Sequence, residues 1–130
     1  MNIAAPIKAD VKLIALDLPM PPSVNRIWRA RETGGRPVFL STKYRNWKQE
    51  AETLALQLGQ CRGVKRIDGP FQAHIVLQHR RGDLDNRVKA VLDIAQEWEL
   101  IKNDSNCVRL LVEYGEAPYG CRLILGAVDA

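Results

Sequence analysis

Two aspartates separated by one residue, Asp83 and Asp85, give the clearest chemical signal in this sequence. Carboxylates this close repel each other by about 1 kcal/mol in water and by several times more in a shielded site. Arg80 and Arg81 precede the pair, and Lys89 follows it. Carboxylates among bases favour a divalent cation, and such a site is typical of enzymes that cut phosphodiesters. The simpler interpretation is a helix N-cap, for which one aspartate would be enough.

Three further residues could complete the site or only support the structure around it. Lys89 lies one helical turn after Asp85, so the two could form an exposed ion pair worth only a few tenths of a kcal/mol. Alternatively, its ammonium could lie beside the metal and stabilise charge on a scissile phosphate. Asp93 is expected to be an ion partner of Lys89 rather than a metal ligand. Asp104 fits an ordinary loop, but a third carboxylate would help to hold hydrated Mg²⁺.

The elements that would position these residues form a mixed α+β arrangement. The run Phe71–Leu77 predicts a strand that leads into the aspartate pair, and apolar residues at helical spacing predict a helix from Leu84 to about Glu99. Further predicted elements are strands at Val11–Leu18, Cys107–Tyr114 and Cys121–Val128, a hairpin of Ile27–Ala30 with Pro37–Leu40, and a helix from an N-cap at Ser41 or Thr42 to Leu58, stopped by Gly59. The last two strands should be joined by a turn through Gly115 and Gly120. We therefore predict a single domain over residues 1–130, a mixed β-sheet with two main helices packed on it.

The composition narrows the class of protein. With 46% hydrophobic and 26% charged residues, the 130-residue chain is typical of a soluble globular protein. It has no apolar run near the roughly 20 residues that span a bilayer and no secretory signal, so we expect a cytoplasmic protein with no membrane partner.

Three distant cysteines without CxxC spacing predict reduced thiols. A net charge of +4 favours a polyanionic partner without requiring one. Motifs of P-loop NTPases, serine hydrolases and zinc proteases are absent.

Two separated motifs resemble the RusA family of Holliday-junction resolvases. The segment Asp83–Asp93, with Asn103-Asp104-Ser105 after it, is similar to the family pattern DLDN-x-x-K followed by a loop aspartate before a strand. The segment Leu18–Arg26 resembles the LPxPPSxN start of the family. The resemblance implies a homodimeric endodeoxyribonuclease, dependent on Mg²⁺ or Mn²⁺ and typically encoded by phages or prophages. Such an enzyme resolves four-way DNA junctions by paired nicks in recombination and repair.

The resemblance also implies roles for particular residues. The catalytic, metal-binding carboxylates would be Asp83, Asp85 and Asp104, and the essential lysine would be Lys89. The family often has two adjacent acids at the third site, whereas this chain has Asn103 before Asp104. Basic residues of the hairpin, the first helix and the segment before Asp83 would neutralise DNA phosphates. These are Arg29, Arg31, Arg36, Lys43, Arg45, Arg80 and Arg81.

Two other functions fit the same residues. A different metal-dependent DNA nuclease, such as a restriction-type enzyme, would use a similar carboxylate–lysine set but would not prefer branched over linear DNA. In a non-catalytic phage DNA-binding regulator, Asp83 and Asp85 would only cap a helix, and Mg²⁺ would act only through ionic strength. For a resolvase, a two-fold dimer would match the two equivalent strands of a junction, and the apolar edge of the last strands is a candidate interface.

Overall fold

The computed structural model describes residues 13–23, 38–79 and 84–128, with the backbone alone described at residues 38–41 and at Asp85. These ranges contain four strands and two α-helices, which confirms the predicted α+β class. In chain order the elements are β1 (Ile14–Pro19), α1 (Val38–Leu58), β2 (Phe71–Leu77), a 3₁₀ turn (Leu84–Arg87), α2 (Val88–Glu97), a second 3₁₀ turn (Asp104–Asn106), β3 (Cys107–Tyr114) and β4 (Gly120–Ala127). Within these ranges, no helix combines the length and apolar character that a membrane span requires.

The strands form one mixed sheet in the order β1-β4-β2-β3. β4 is antiparallel to both β1 and β2, whereas β2 and β3 are parallel. Parallel neighbours need a long crossover connection, and α2 with its flanking turns provides it. The part of this crossover just before β3 lies alongside α2, where Asp104 contacts both Lys89 and Gln96, and the candidate site lies there.

The predicted turn through Gly115 and Gly120 joins two strands that are not neighbours in the sheet, because β2 lies between β3 and β4. The connecting segment instead crosses the end of β2. The Gly115 N–H donates to the Leu77 carbonyl at 3.0 Å, and the Gln78 N–H donates to the Gly120 carbonyl at 2.9 Å. Five residues reach roughly 16 Å, more than the roughly 10 Å across one intervening strand, so a short link does not enforce a hairpin.

One face of the sheet carries the core. In β1, β4 and β2, alternate residues are buried, which is the pattern expected for a sheet covered on one side. Both helices contribute to the same buried cluster, α1 through Trp47 and Ala51 and α2 through Ala90, Val91, Ile94 and Ala95. The opposite face presents partly exposed residues, among them His74, Asp17 and Arg122. We call it the outer face.

The start of α1 corrects a second prediction. Val38–Leu40 are helical rather than part of a hairpin strand, and the proposed caps Ser41 and Thr42 lie inside the helix. Ile27–Ala30 and Pro37 fall outside the described residues. A three-residue apolar run fits a strand or a helical turn equally well, and here it continues into a 21-residue helix. Gly59, with φ of +65°, ends that helix as predicted.

The two edges of the sheet differ in how they are covered. At β1, the Asp17 N–H donates to Gln60 Oε1 at 2.6 Å, and Gln60 Nε2 donates to the Asp17 carbonyl at 3.0 Å. Trp47 Nε1 donates to the Pro19 carbonyl at 2.9 Å. Side chains therefore occupy backbone groups that an edge strand would otherwise offer to another chain. β3, at the other edge, has most of its residues exposed.

Candidate active site

The start of α2 and the turn before β3 bring two of the predicted site residues together. Lys89 Nζ lies 3.3 Å from Asp104 Oδ2, although the two residues are 15 positions apart. Asp85 is in the 3₁₀ turn that leads into α2, and its side chain is not described. Asp83 lies outside the described residues. The structure thus joins Lys89 to Asp104, and the complete set of three carboxylates stays a prediction.

Lys89 has a second carboxylate neighbour. Its Nζ lies 3.1 Å from Asp93 Oδ1, which is the ion pair expected from their spacing on the helix. The hydrogen bond with Asp93 raises the pKa of Lys89 above its ordinary value, and the Asp104 carboxylate acts in the same direction. The lysine is therefore charged at neutral pH. About half of its side chain is exposed, so the ammonium is within reach of a bound ligand.

The loop that carries Asp104 is held by amide side chains. Gln96 Oε1 accepts a hydrogen bond from the Asp104 N–H at 3.0 Å, which attaches the loop to α2. Asn103 Oδ1 accepts from the Ser105 N–H at 2.9 Å and so caps the 3₁₀ turn. This contact gives the amide at position 103 a structural role where the family often has an acid. Sequence reasoning missed Gln96, although it lies two helical turns after Lys89 on the same face.

A network of contacts fixes α1 against the face of α2 that carries Lys89. The Tyr44 hydroxyl lies near Asp93, and burial, followed by the charge of Asp93, raises the pKa of this phenol above its ordinary value. The Tyr44 ring stacks on Trp47 with centroids 6.0 Å apart. Lys48 Nζ lies 2.7 Å from Glu97 Oε2. Tyr44 thus connects the first helix to Lys89 through a single intermediate, Asp93.

The two sequence motifs that resemble the RusA family are in physical contact. Arg87, in the 3₁₀ turn before α2, donates a hydrogen bond from Nη1 to the carbonyl of Pro21. Met20 lies against Gly120, whose φ is +123° and whose position leaves no room for a side chain. A Cβ atom there would lie 2.5 Å from the Met20 backbone nitrogen. The segment after β1 is therefore packed between the site and the start of β4.

Among the predicted DNA-binding residues, the structure describes two. Lys43 and Arg45 are exposed near the start of α1, on either side of Tyr44. Because Tyr44 contacts Asp93, these two bases flank the part of α1 that lies against the Lys89 face of α2. Arg29, Arg31, Arg36, Arg80 and Arg81 lie outside the described residues.

The carboxylates among the described residues do not form a complete metal site by themselves. Within residues 13–23, 38–79 and 84–128, no three His, Cys, Asp or Glu side chains are grouped closely enough to hold an ion. That result includes neither Asp83 nor the side chain of Asp85. Asp104 suits a hard cation, because its side chain offers carboxylate oxygens and is 30% exposed. It can therefore contribute one ligand to a site that the preceding aspartates would complete.

Comparison with known families identifies the class of protein. The profile of the family described as endodeoxyribonuclease RusA matches residues 19–120, a range that contains Lys89, Asp104 and all of the two motifs except Leu18. No curated protein sequence matches the chain. Since the profile covers most of the chain, the protein belongs to the RusA family of endodeoxyribonucleases. The resemblance inferred from the two motifs is confirmed.

Proposed function

We propose that this protein is a metal-dependent endodeoxyribonuclease of a single domain that resolves four-way DNA junctions by paired symmetric nicks in recombination and repair. Membership of the RusA family supports the endonuclease class and the junction substrate. The observation that carries the proposal is the 3.3 Å contact between Lys89 and Asp104. It joins a positively charged ammonium to a carboxylate of the predicted metal site, beside the turn that contains Asp85.

The proposed site combines three carboxylates with one lysine. Asp83, Asp85 and Asp104 would hold Mg²⁺ or Mn²⁺ through their side-chain oxygens. When bound, the cation would polarise the scissile phosphate and lower the pKa of the water that attacks it. Lys89 donates to the phosphate and offsets the charge that develops on its oxygens. Asp93 orients Lys89, and Gln96 orients Asp104.

The DNA surface extends from the site over the start of α1. Lys43 and Arg45 would contact phosphates on one side of the Lys89 face. Arg29, Arg31, Arg36, Arg80 and Arg81 are proposed as further contacts from their place in the sequence. A homodimer would supply one site for each of the two strands that must be cut. We place the protein in the cytoplasm with its DNA substrate.

The test is cleavage of a synthetic four-way junction by the purified protein with and without Mg²⁺. We expect paired nicks in opposing strands only when Mg²⁺ is present. A linear duplex with the sequence of one junction arm serves as the control and should be cut far more slowly. Equal cleavage of both substrates would favour a different metal-dependent nuclease. Binding without cleavage at any Mg²⁺ concentration would favour a non-catalytic DNA-binding regulator.

A further inference from the structure

The edge of the sheet formed by β3 is long and uncovered by the described residues. Its eight residues run without proline, and Val108, Leu110 and Leu111 are 57%, 44% and 47% exposed. Edge strands of this kind offer unpaired backbone groups to another chain unless side chains or bulges block them. At the opposite edge, the side chains of Gln60 and Trp47 provide such a block. In contrast to β1, the described residues leave β3 open to pairing with another strand.

The residues of β3 on the outer face form a self-complementary pattern. Arg109, Leu111 and Glu113 occupy alternate positions and so point to the same side of the sheet. Arg109 forms no ion pair with any described residue. Glu113 accepts a hydrogen bond from His74 through Oε2 at 2.5 Å, and this leaves Oε1 available. The order of these side chains is positive, apolar, negative. When a second copy of the strand runs in the opposite direction, each charged residue lies opposite a residue of opposite charge, and the apolar residue lies opposite itself.

We propose that β3 pairs antiparallel with β3 of a second copy of this chain, about a two-fold axis at Leu111. In this register, Arg109 lies opposite the partner's Glu113, and the reverse contact is formed as well. Leu111 lies opposite the partner's Leu111, and Leu110 lies opposite the partner's Val112. Opposite charges and apolar side chains in directly opposed positions stabilise an antiparallel pair. The two four-stranded sheets join into one sheet of eight strands.

The same geometry orients both active sites toward one substrate. A two-fold axis perpendicular to the sheet keeps the helices of both copies on the same side. Asp104 and Lys89 of each copy therefore face the same direction, as a single junction requires. Packing of the two outer faces would place the helices on opposite sides of the dimer and direct the sites away from each other. The requirement that both sites face one substrate rests on the proposed resolvase function, whereas the pairing pattern of β3 does not.

A disulfide tests the register directly. In a background with Cys61→Ser and Cys107→Ser, the Leu111→Cys variant should form a covalent dimer under mild oxidation. Residues directly opposed in an antiparallel pair have Cα atoms about 4.5–5.5 Å apart, which suits a disulfide. The matched control is Ala15→Cys, an exposed position on β1, which should stay monomeric on a non-reducing gel. Cross-linking of the control alone would show packing of the outer faces and overturn the proposal.

Charge reversal tests the cross-strand pairs in solution. Arg109→Glu should weaken the dimer about tenfold or more in sedimentation equilibrium, because two like-charge contacts replace two ion pairs. The double variant Arg109→Glu with Glu113→Arg should regain most of the affinity. Arg62→Glu, an equal charge change at an exposed position, and His74→Gln, which removes only the contact within the chain, should leave the dimer intact. A monomeric wild-type protein, or a double variant as weak as the single one, would overturn the proposal.

The readout is mass and not cleavage, so the two proposals can fail separately. A protein that dimerises through β3 but cuts no junction refutes the proposed function alone. If the protein resolves junctions and Arg109→Glu does not change the affinity of the dimer, only the proposed interface is refuted. Melting curves of each variant show whether the monomer is folded.

Discussion

At the scale of single residues, Lys89 is shared between Asp93 and Asp104, so its replacement separates a chemical from a structural role. We predict that Lys89→Met lowers the single-turnover rate of junction cleavage at least a hundredfold. The melting temperature should change little, because exposed ion pairs contribute only a few tenths of a kcal/mol. The control is Lys65→Met, another exposed lysine, which should retain the wild-type rate. If Lys89→Met nicks junctions at the normal rate, Lys89 has no catalytic role and serves only in an ion pair on the helix.

Asp104 allows a test of the third carboxylate without loss of its loop. The hydrogen bond to Gln96 comes from the Asp104 backbone, so Asp104→Asn keeps that attachment. We predict that this variant loses cleavage while junction binding survives or tightens, because a charge that repels phosphate is removed. Gel-shift and cleavage assays at saturating Mg²⁺ give both quantities. Asp68→Asn, at an exposed aspartate paired with Arg66, is the control. A rate above about a tenth of wild type would exclude Asp104 from the catalytic set.

Cys121 predicts how stability depends on pH in the alkaline range. Burial, with a smaller effect of Asp17, raises the pKa of this thiol from 9.0 to about 12. Above pH 9 the unfolded chain loses a proton that the folded chain keeps, so the free energy of unfolding should fall as pH rises from 9 toward 12. The slope from this group is at most about 1.4 kcal/mol per pH unit. Urea unfolding between about pH 8 and pH 11 measures it, and Cys121→Ala should be less sensitive than wild type. Equal slopes would show that the thiol is not the source.

At the scale of elements, local patterns predicted the strands but not their neighbours. β2 and β3 have the bounds that their apolar runs indicated, and Gly59 stops α1 as expected. The position of β2 between β3 and β4 could not be predicted, because a short glycine-containing link looks the same whether it forms a hairpin or crosses a strand. In the candidate site, too, the sequence predicted contacts within one element but not contacts between elements. The ion pair of Lys89 with Asp93 follows from helical spacing, whereas the contacts of Tyr44 and Gln96 depend on packing between distant segments.

Gly120 is the point where β4 begins and where the segment after β1 is held. We predict that Gly120→Ala destabilises the fold by several kcal/mol, because a Cβ at φ of +123° meets the Met20 backbone and one of the two must move. Gly69→Ala is the control, since a Cβ there has no heavy atom within 4 Å. Denaturant unfolding of both variants measures the difference. If both variants lose the same free energy of unfolding, the close approach of Gly120 to Met20 does not affect stability.

At the scale of the whole molecule, the positive charge should appear as a salt-dependent affinity for DNA. Each phosphate neutralised by a base releases counterions, so log affinity should fall with log salt by about 0.9 per contact. We predict a shallower slope for the double variant Lys43→Ala with Arg45→Ala. The matched control is Arg62→Ala with Lys65→Ala, which removes the same charge beyond the other end of α1. An unchanged slope in the first variant would locate the DNA surface elsewhere.

The hydrogen bonds of Gln60 with β1 bear on how large the assembly can become. A sheet whose two edges are both open has no natural stoichiometry, because each copy that joins presents a new edge to the next and the product is a filament. When the β3 strands of two copies have paired, both outer edges of the eight-stranded sheet are β1 strands, and their Asp17 amide and carbonyl are already bonded to Gln60. Growth of the proposed assembly would therefore stop at two subunits. In the proposed dimer, Gln60, in the turn after α1, would thereby limit the assembly to as many active sites as a junction has strands to cut.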